Sequence, residues 1–555
     1  MKNNYIKFFL IFFFTSSIVV SQTQQINSIH SMILTGDPIL DDIRFLSLES
    51  GIPFLSFAPP LSPGEIKDFL DKINDSELSK PAMEVYYRIL DRLSPQTRIS
   101  FTSEKVSAFF NIDLLADIRV RFNEDVTWYS PQSKYDPFLS FTFQFFFIDS
   151  LQLYFEPSFS VRPFPLDDER HREYKTFDTN VPYLLRHLEV EYWPIRTYAS
   201  IGGSWWNFFI GRDHLQWGTS HSGSLVYSDD EHFYDFAYLS FFTPNLKYSI
   251  IINHLPLRLD SRLFDDPPEG WDENDNWRSV HRYFYLHRID LNFFNKLSFS
   301  LMEGVMVGNS PLELRYLNPF IPFHSMYPWR DYVKWEPYVD IGEGSMVGAF
   351  LSLEINWNII KPLAVYGQFV MNQIEFPTEK KFGGYKPNSF GFLAGIHITQ
   401  SFNTWDSLFF AEFVYTAPYA YILSSPYASF IQRDWSNYHL LGHSRDTVFL
   451  SAGAELFNND KKLSFSAHFS WIASGELNKG MLTWNYEETE ESFNKISPSG
   501  IAENKFILSL SANWQPYNWL SFGTNINGIY SVNNKHLSGD NKASGQISLS
   551  AGFHY

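Results

Sequence analysis

From about Lys105 to the C terminus, apolar residues recur largely at every second position, which is the side-chain period of a β-strand. In the last ten residues Ile547, Leu549, Ala551, Phe553 and Tyr555 share one face, and Ser548, Ser550, Gly552 and His554 share the other. One face suits lipid and the other a wet interior, so the pattern predicts the closing strand of an outer-membrane barrel. Residues 463–471 have the same two faces, and residues 505–514 repeat them, ending on Trp514 where an interfacial aromatic girdle belongs. Minimal turns are expected at Asp149-Ser150, Pro244-Asn245, Phe294-Asn295, Asn459-Asp460 and Pro516-Tyr517. Long polar joints fall at 165–183, 213–234, 256–280, 310–340, 419–443 and 475–500. Short and long joints tend to alternate, as they do in barrels with tight periplasmic turns and long external loops. The count closes at ~18 antiparallel strands, an even number that leaves both termini in the periplasm. Residues 105–122 and 188–192 fit the alternation poorly. A lumen of that width holds water, so it is either plugged or conducts.

Before the barrel the period is closer to 3.6. Asp37-Pro38 opens a helix carrying Ile39, Leu40, Ile43 and Leu46, stopped by Gly51 and Pro53. Ser62-Pro63-Gly64-Glu65 is a capping box that starts a second helix with Ile66, Phe69, Leu70 and Ile73. A third, over about 81–93, puts Met83, Tyr86, Ile89, Leu90 and Leu93 on one side. Three short helices make too small a core to stand alone, so they are expected to pack on the barrel, although an ordinary helical linker domain shares most of these features. At the extreme N terminus Lys2 and Lys7 precede an apolar run over 8–20, and Val19-Val20-Ser21 offers a cleavage site before Gln22. That run is short of the ~20 residues that span a bilayer, which favours a secretory signal peptide over an anchor. The expected organisation is a signal peptide over 1–21, a periplasmic helical segment over 22–100 and an outer-membrane barrel over 101–555.

Composition narrows the compartment and the partners. The chain of 555 residues has no cysteine, so it is neither disulfide-stapled nor a lipoprotein. Aromatics are 18% of residues while mean hydropathy is only -0.21, as expected when hydrophobicity is hidden by alternation rather than gathered in helical spans. A formal charge of -18 argues against nucleic acid. The partners implied are outer-membrane lipids and the barrel-assembly machinery.

External loops on a rigid scaffold are where binding belongs. After the strand ending near Gly211 the chain joins glycines to Arg212, Trp217, His221 and two serines, Ser220 and Ser222. The pattern Gly211-Arg212, Trp217-Gly218, Gly223-Ser224-Leu225 and Ser228 resembles the capsule assembly Wzi family of outer-membrane proteins. Tyr316-Leu317-Asn318-Pro319 and Tyr366-Gly367-Gln368-Phe369 extend the resemblance, which with the helical prelude and aromatic end covers nearly the whole chain. It implies an 18-stranded barrel with a periplasmic helical bundle and a lectin-like role, holding capsular or other surface polysaccharide on the cell. The family's sugar-contacting residues are not defined by these motifs. The segment after Gly211 equally suits a structural role, folding into the lumen and bonding the wall.

Glycan sites combine aromatic platforms with amides, carboxylates and guanidinium groups. The glycan-binding candidates are Arg212, Trp217, His221, Trp271, Trp277, Trp329, Arg330 and Trp335, with Asp272, Glu273, Asn274 and Tyr327 beside them. An interfacial aromatic girdle accounts for the tryptophans just as well. Asp265, Asp266, Glu269, Asp272, Glu273 and Asp275 offer oxygen ligands for calcium but lack the spacing of an EF-hand, so a solvated loop is the simpler account, as it is for Glu487, Glu488, Glu490 and Glu491. No metal or cofactor is expected. Ser220, Ser222, His221 and Asp213 are the residue types of a hydrolytic triad, but no Gly-x-Ser-x-Gly elbow is present and no catalysis is expected. The alternative function is an outer-membrane porin or oligosaccharide channel.

Overall fold

A computed structural model describes residues 30–93, 99–103, 105–123, 125–126, 128–129, 137–148, 150–161, 176–182, 188–189, 195–228, 233–260, 277–308, 310–320, 322, 347–374, 385–402, 405–433, 438–458, 460, 462–478, 493 and 495–555. The signal peptide expected over 1–21 lies outside them. Eighteen antiparallel strands close into a barrel. In chain order they are β1 (Val106–Arg121), β2 (Leu139–Phe147), β3 (Leu151–Glu156), β4 (Arg196–Gly202), β5 (Trp206–Asp213) and β6 (Tyr234–Thr243). Then come β7 (Leu246–His254), β8 (Arg282–Phe293), β9 (Leu297–Gly308), β10 (Val347–Ile360), β11 (Leu363–Gln373) and β12 (Ser389–Phe402). The circuit ends with β13 (Trp405–Thr416), β14 (Thr447–Asn458), β15 (Leu463–Ser474), β16 (Glu503–Tyr517), β17 (Leu520–Val532) and β18 (Lys542–His554). The seam pairs β18 with β1 from Asp113↔His554 to Arg121↔Gln546.

The C-terminal strand has the two faces its alternation predicts. Leu549, Phe553 and Tyr555 are exposed on the outer wall. On the inner face Ser548 Oγ donates to Asp117 at 2.9 Å, and His554 Nδ1 lies 2.7 Å from Asp113. The poorly patterned stretch 105–122 is β1. Its inward positions carry Asp113, Asp117, Arg119 and Arg121, and a wet, ion-paired lumen face tolerates such charge. Of residues 188–192 the structure describes Leu188–Glu189, a strand paired with Ser160 and Val161 outside the ring of eighteen. One turn differs from expectation. Pro516 is accommodated inside β16 by a register shift between Trp514 and Tyr517, which moves the turn on to residues 518–519.

The strand ends joined by short turns lie at one end, shared with the N-terminal helices, and the strand ends from which the long connections leave lie at the other. Helices α1 (Ile39–Ser50), α2 (Pro63–Leu70) and α3 (Lys80–Arg92) match the three expected. Gly51 ends α1 at φ 69°, and both hydrogen bonds of the Ser62–Glu65 capping box are formed. Asp42, fully buried in α1, accepts from Arg88 at 2.8 Å and Arg92 at 3.0 Å, which ties α1 to α3. The helices do pack on the barrel. Leu48 lies against Ala364 and Leu408, and Phe45 meets Phe457 edge-on at 5.6 Å. Each fully buried side chain of this size contributes roughly 1.5–3 kcal/mol. Asn358 Nδ2 donates to Ser47 O at 2.8 Å, Ser298 Oγ to Leu55 O at 2.6 Å and Thr399 Oγ1 to Glu49 at 2.6 Å.

The segment before α1 also enters the lumen. Met32 N donates to Gln152 at 3.0 Å, and His30 packs where a Cβ on Gly202 would fall 2.4 Å from its Cε1. Burial without a partner for Nε2 pulls the His30 imidazole down from 6.5 to about 4, so it is neutral in place. A released segment binds that proton at the ordinary pKa, so attachment is fully present above 6.5 and is lost as pH falls toward 4, by up to roughly 3 kcal/mol. Protease cutting of the N-terminal segment should therefore rise between pH 6.5 and 4, and His30→Gln should flatten the rise. An equally steep rise in the variant would exclude His30 as the cause.

Residues 310–320 lie against the outside of the wall. After β9 the chain folds back so that Tyr316 is buried on outward-facing Tyr285, Val305, Val307 and Val347. Its carbonyl oxygen lies 2.9 Å from His287 Nε2, and Glu313 N donates to the Tyr285 hydroxyl at 2.8 Å. Leu314 and Phe320 of this strap are exposed.

Candidate functional site

The glycine-rich segment 214–228 folds inward and meets the N-terminal segment inside the lumen. Trp217 is fully buried there, with Nε1 donating to Pro59 O at 2.8 Å. Gly218 N donates to Phe57 O at 2.7 Å, and Gln216 N to Thr35 Oγ1 at 3.2 Å. The Arg288 guanidinium lies 5.4 Å over the Trp217 ring and pairs with Asp290 at 2.8 Å and Glu354 at 3.2 Å. Gly218 has φ +118°, and a Cβ there would fall 2.1 Å from Gln368 Nε2, so no other residue fits without displacing that amide. Gly211 is required by close approach, because a Cβ would meet the Thr197 carbonyl at 2.3 Å beside the stacked rings of Tyr154, Tyr198, Phe209 and Phe236.

Two lumen-facing side chains hold the segment to the wall. Gln368 Oε1 accepts from Ser224 Oγ at 3.0 Å and Leu225 N at 2.9 Å, while Nε2 donates to Trp217 O at 2.9 Å and Glu354 at 3.2 Å. Glu412 accepts from His221 N at 2.7 Å, Ser222 N at 2.9 Å and the Tyr366 hydroxyl at 2.5 Å. Tyr366 and Gln368 belong to the Tyr-Gly-Gln-Phe stretch, so two motifs far apart in sequence form one site. Residues 417–433 and 438–441 close over it from the long-loop side. Tyr421 donates to Leu225 O at 3.0 Å, and buried Arg282 reaches the carbonyls of Leu255, Pro426, Ser429 and Ile431. The helices, the infolded segment and this cap stand one above another across the lumen between β3 and β14.

The candidate residues separate. Trp217 is a packing group inside the lumen, which corrects the expectation of an exposed sugar platform. His221 is also internal, with Nε2 3.0 Å from His397 Nε2 and Nδ1 3.5 Å from Glu455. Arg212 sits on the outer wall near the long-loop rim, bidentate to Asp235 at 2.7 and 2.6 Å. The alternation of β5 puts it on the face of Ile210, away from the lumen. Trp271, Trp329, Arg330 and Trp335, with Tyr327 and both acidic runs, lie outside the described residues. Trp277 starts a hairpin strand, Trp277–Val280, paired with Leu257–Asp260. The triad types do not assemble: Asp213 pairs with Arg196 at 2.6 Å, and the Ser220 hydroxyl lies 3.2 Å from that of Ser222. Among the described residues no three His, Asp or Glu side chains are grouped to hold a metal. Glu354 and Glu412 were missed in the sequence, and Gln368 was read only as part of the Tyr-Gly-Gln-Phe stretch; the available signal was a large polar side chain at an inward position of a long strand.

No protein-family model matches the sequence, and no curated protein is detectably similar to it in sequence. Among solved structures, Wzi of Escherichia coli aligns over 94% of this chain and 99% of its own, with a TM-score of 0.56 at 14% identity. It is described as an outer membrane protein involved in group 1 capsule assembly and a carbohydrate-binding β-barrel. The chain has the Wzi fold. Pseudomonas aeruginosa OccK8 (OprE) aligns over 81% of this chain and 98% of its own, with a TM-score of 0.39 at 9% identity. A variant of OccD1 (OprD) aligns over 81% and 95%, with a TM-score of 0.41 at 10% identity. The closed barrel of the Wzi type places the protein in the outer membrane.

Proposed function

We propose that this protein binds or anchors capsular or other surface polysaccharide at the cell surface, as a plugged barrel without catalysis or cofactor. In this reading residues 1–21 direct secretion and residues 22–100 include the periplasmic plug. The barrel assembly machinery inserts residues 101–555 among outer-membrane lipids. The observation that carries the reading is the threefold obstruction of the lumen by α1–α3, residues 214–228 and residues 417–433 with 438–441. An open pore has no use for buried ion pairs and a four-way amide clamp across its axis. The likeness to a carbohydrate-binding barrel supports the ligand class. Trp271, Trp277, Trp329, Arg330 and Trp335 remain the proposed outer contacts, whereas Trp217 acts from inside by holding the segment in place.

Purified protein should be silent in planar bilayers and should retain the cell's own polysaccharide in a pull-down. Trp271→Ala and Trp329→Ala together should weaken retention. A contributing sugar-stacking aromatic is worth about 0.5–1.5 kcal/mol, a several-fold change in affinity each. Large steady currents would instead support the porin, and retention unchanged by both substitutions would remove those contacts.

A further inference from the structure

The plug is off-centre. Its hydrogen bonds to the wall reach β3, β5, β7, β8, β9, β10 and β12, whereas the inner face of β15–β18 carries mostly hydroxyl and amide side chains, with the ion-paired His468, Glu503, Lys505, Lys542 and His554 among them. Inward positions follow from the alternation, since Phe506, Leu508, Leu510, Phe522, Ile526 and Leu549 are exposed on the opposite, lipid face. Along this inner face exposure changes with depth. Asn513 is exposed near the short turns, and Ser466, Ser511, Asn525, Ser548 and Ser550 are half-buried above it. Higher still, Ile507 and Ile529 are buried against Val126.

Val126 is held as a lid. Arg121 donates to its carbonyl at 2.9 Å, Tyr129 N donates to Gln546 at 2.8 Å, and Lys542 pairs with Asp125 at 3.1 Å. Along this face exposure therefore falls from Asn513 at the short-turn end to the apolar contact of Ile507, Ile529 and Val126. Beneath the lid Asn527 is 6% exposed, yet its inward-facing Oδ1 has no hydrogen-bond partner, and neither do Asn525 Oδ1 and Ser509 Oγ. A buried unpaired acceptor costs about 1–3 kcal/mol, which a donor brought to this wall would recover.

We infer that the inner face of β15–β18 forms a periplasm-facing vestibule that binds a short saccharide chain. For its ligand class it rests on the polysaccharide reading, but its location is on the opposite side of the membrane from the loops invoked there. Hydroxyls and amides both donate and accept, which suits the hydroxyls of a sugar more than a bare ion. Asn527 would be the deepest contact.

The native chain contains no cysteine, so single cysteines report cleanly. In the purified full-length mature protein, Asn513→Cys and Ser548→Cys should react with a charged, membrane-impermeant thiol reagent, while Ile507→Cys should not. Oligosaccharides released from the cell's own surface polysaccharide should abolish reaction at Asn513→Cys and Ser548→Cys, in low and high salt alike. Adding Asn527→Leu should lose that protection. Absence of labelling at both vestibule cysteines overturns the vestibule. Labelling without protection, or protection that high salt removes, overturns saccharide binding there. Cells that still hold their polysaccharide in either case show that only the vestibule has failed, whereas loss of pull-down with protection intact strikes the outer-face reading alone.

Discussion

Replacing Lys247 with methionine is expected to loosen the N-terminal plug by about 3–5 kcal/mol, the cost of breaking a buried ion pair from one side. Lys247 Nζ in β7 lies 2.5 Å from Glu65 Oε2 in α2, and both side chains are buried. Burial alone pushes the Glu65 carboxyl upward, and the lysine opposes it. Glu65 is also the return arm of the capping box, accepting from Ser62 N at 3.1 Å, and it accepts from Asn207 Nδ2 at 3.4 Å. An uncompensated charge therefore strains the start of α2 as well as its contact with the wall. Protease release of the N-terminal segment should become rapid in Lys247→Met while the heat-dependent gel mobility of the barrel is unchanged. Adding Glu65→Gln should recover most of the protection, because the amide oxygen still caps the helix and no buried charge remains. Wild-type protection in the single variant would mean that the pair does not hold the plug.

Gln368→Leu should release residues 216–228 from the wall. The substitution removes four hydrogen bonds and leaves Leu225 N without its acceptor, a combined cost of about 3 kcal/mol from net bond energies and one buried orphan. Gln368→Glu is the sharper test because its shape is nearly the same. It retains the acceptor for Ser224 and Leu225 but sets a carboxylate against Glu354 and the Trp217 carbonyl, where the amide now donates. Amide hydrogen exchange over 216–228 should accelerate in both variants, and Trp217 emission should shift to the red as the ring meets water. Exchange that stays at the native rate in Gln368→Glu would sink the clamp.

The barrel was legible in the sequence because membrane and lumen enforce opposite chemistry at neighbouring residues, so Leu549 and Ser550 announce their faces without reference to any other strand. The helices were legible for an equally local reason, since Ser62, Pro63 and Glu65 carry both halves of a cap. The infolded segment was legible only as a motif. Its glycines signal tight backbone, but the groups that make Gly218 obligatory are in β11, and the acceptor for Ser222 N is 190 residues away in β13. Trp217 illustrates the limit: a tryptophan between glycines reads the same whether it faces a sugar or a buried guanidinium. Arg212 was misread for a simpler reason. Ile210 and Arg212 share a face, and extending the alternation two residues further would have put the arginine on the outside of the rim.

The strap over residues 310–320 breaks the rotational equivalence of the cylinder. Elsewhere on the described wall acyl chains meet the side chains of the strands themselves, Phe, Trp, Leu and Ile among them, but over this sector they meet Leu314 and Phe320 standing proud of it, with His287 sealed beneath. The annular shell must part there. A protein with such a keel has a preferred side for lateral encounters in a crowded bilayer, so its neighbours meet it at one azimuth rather than at random.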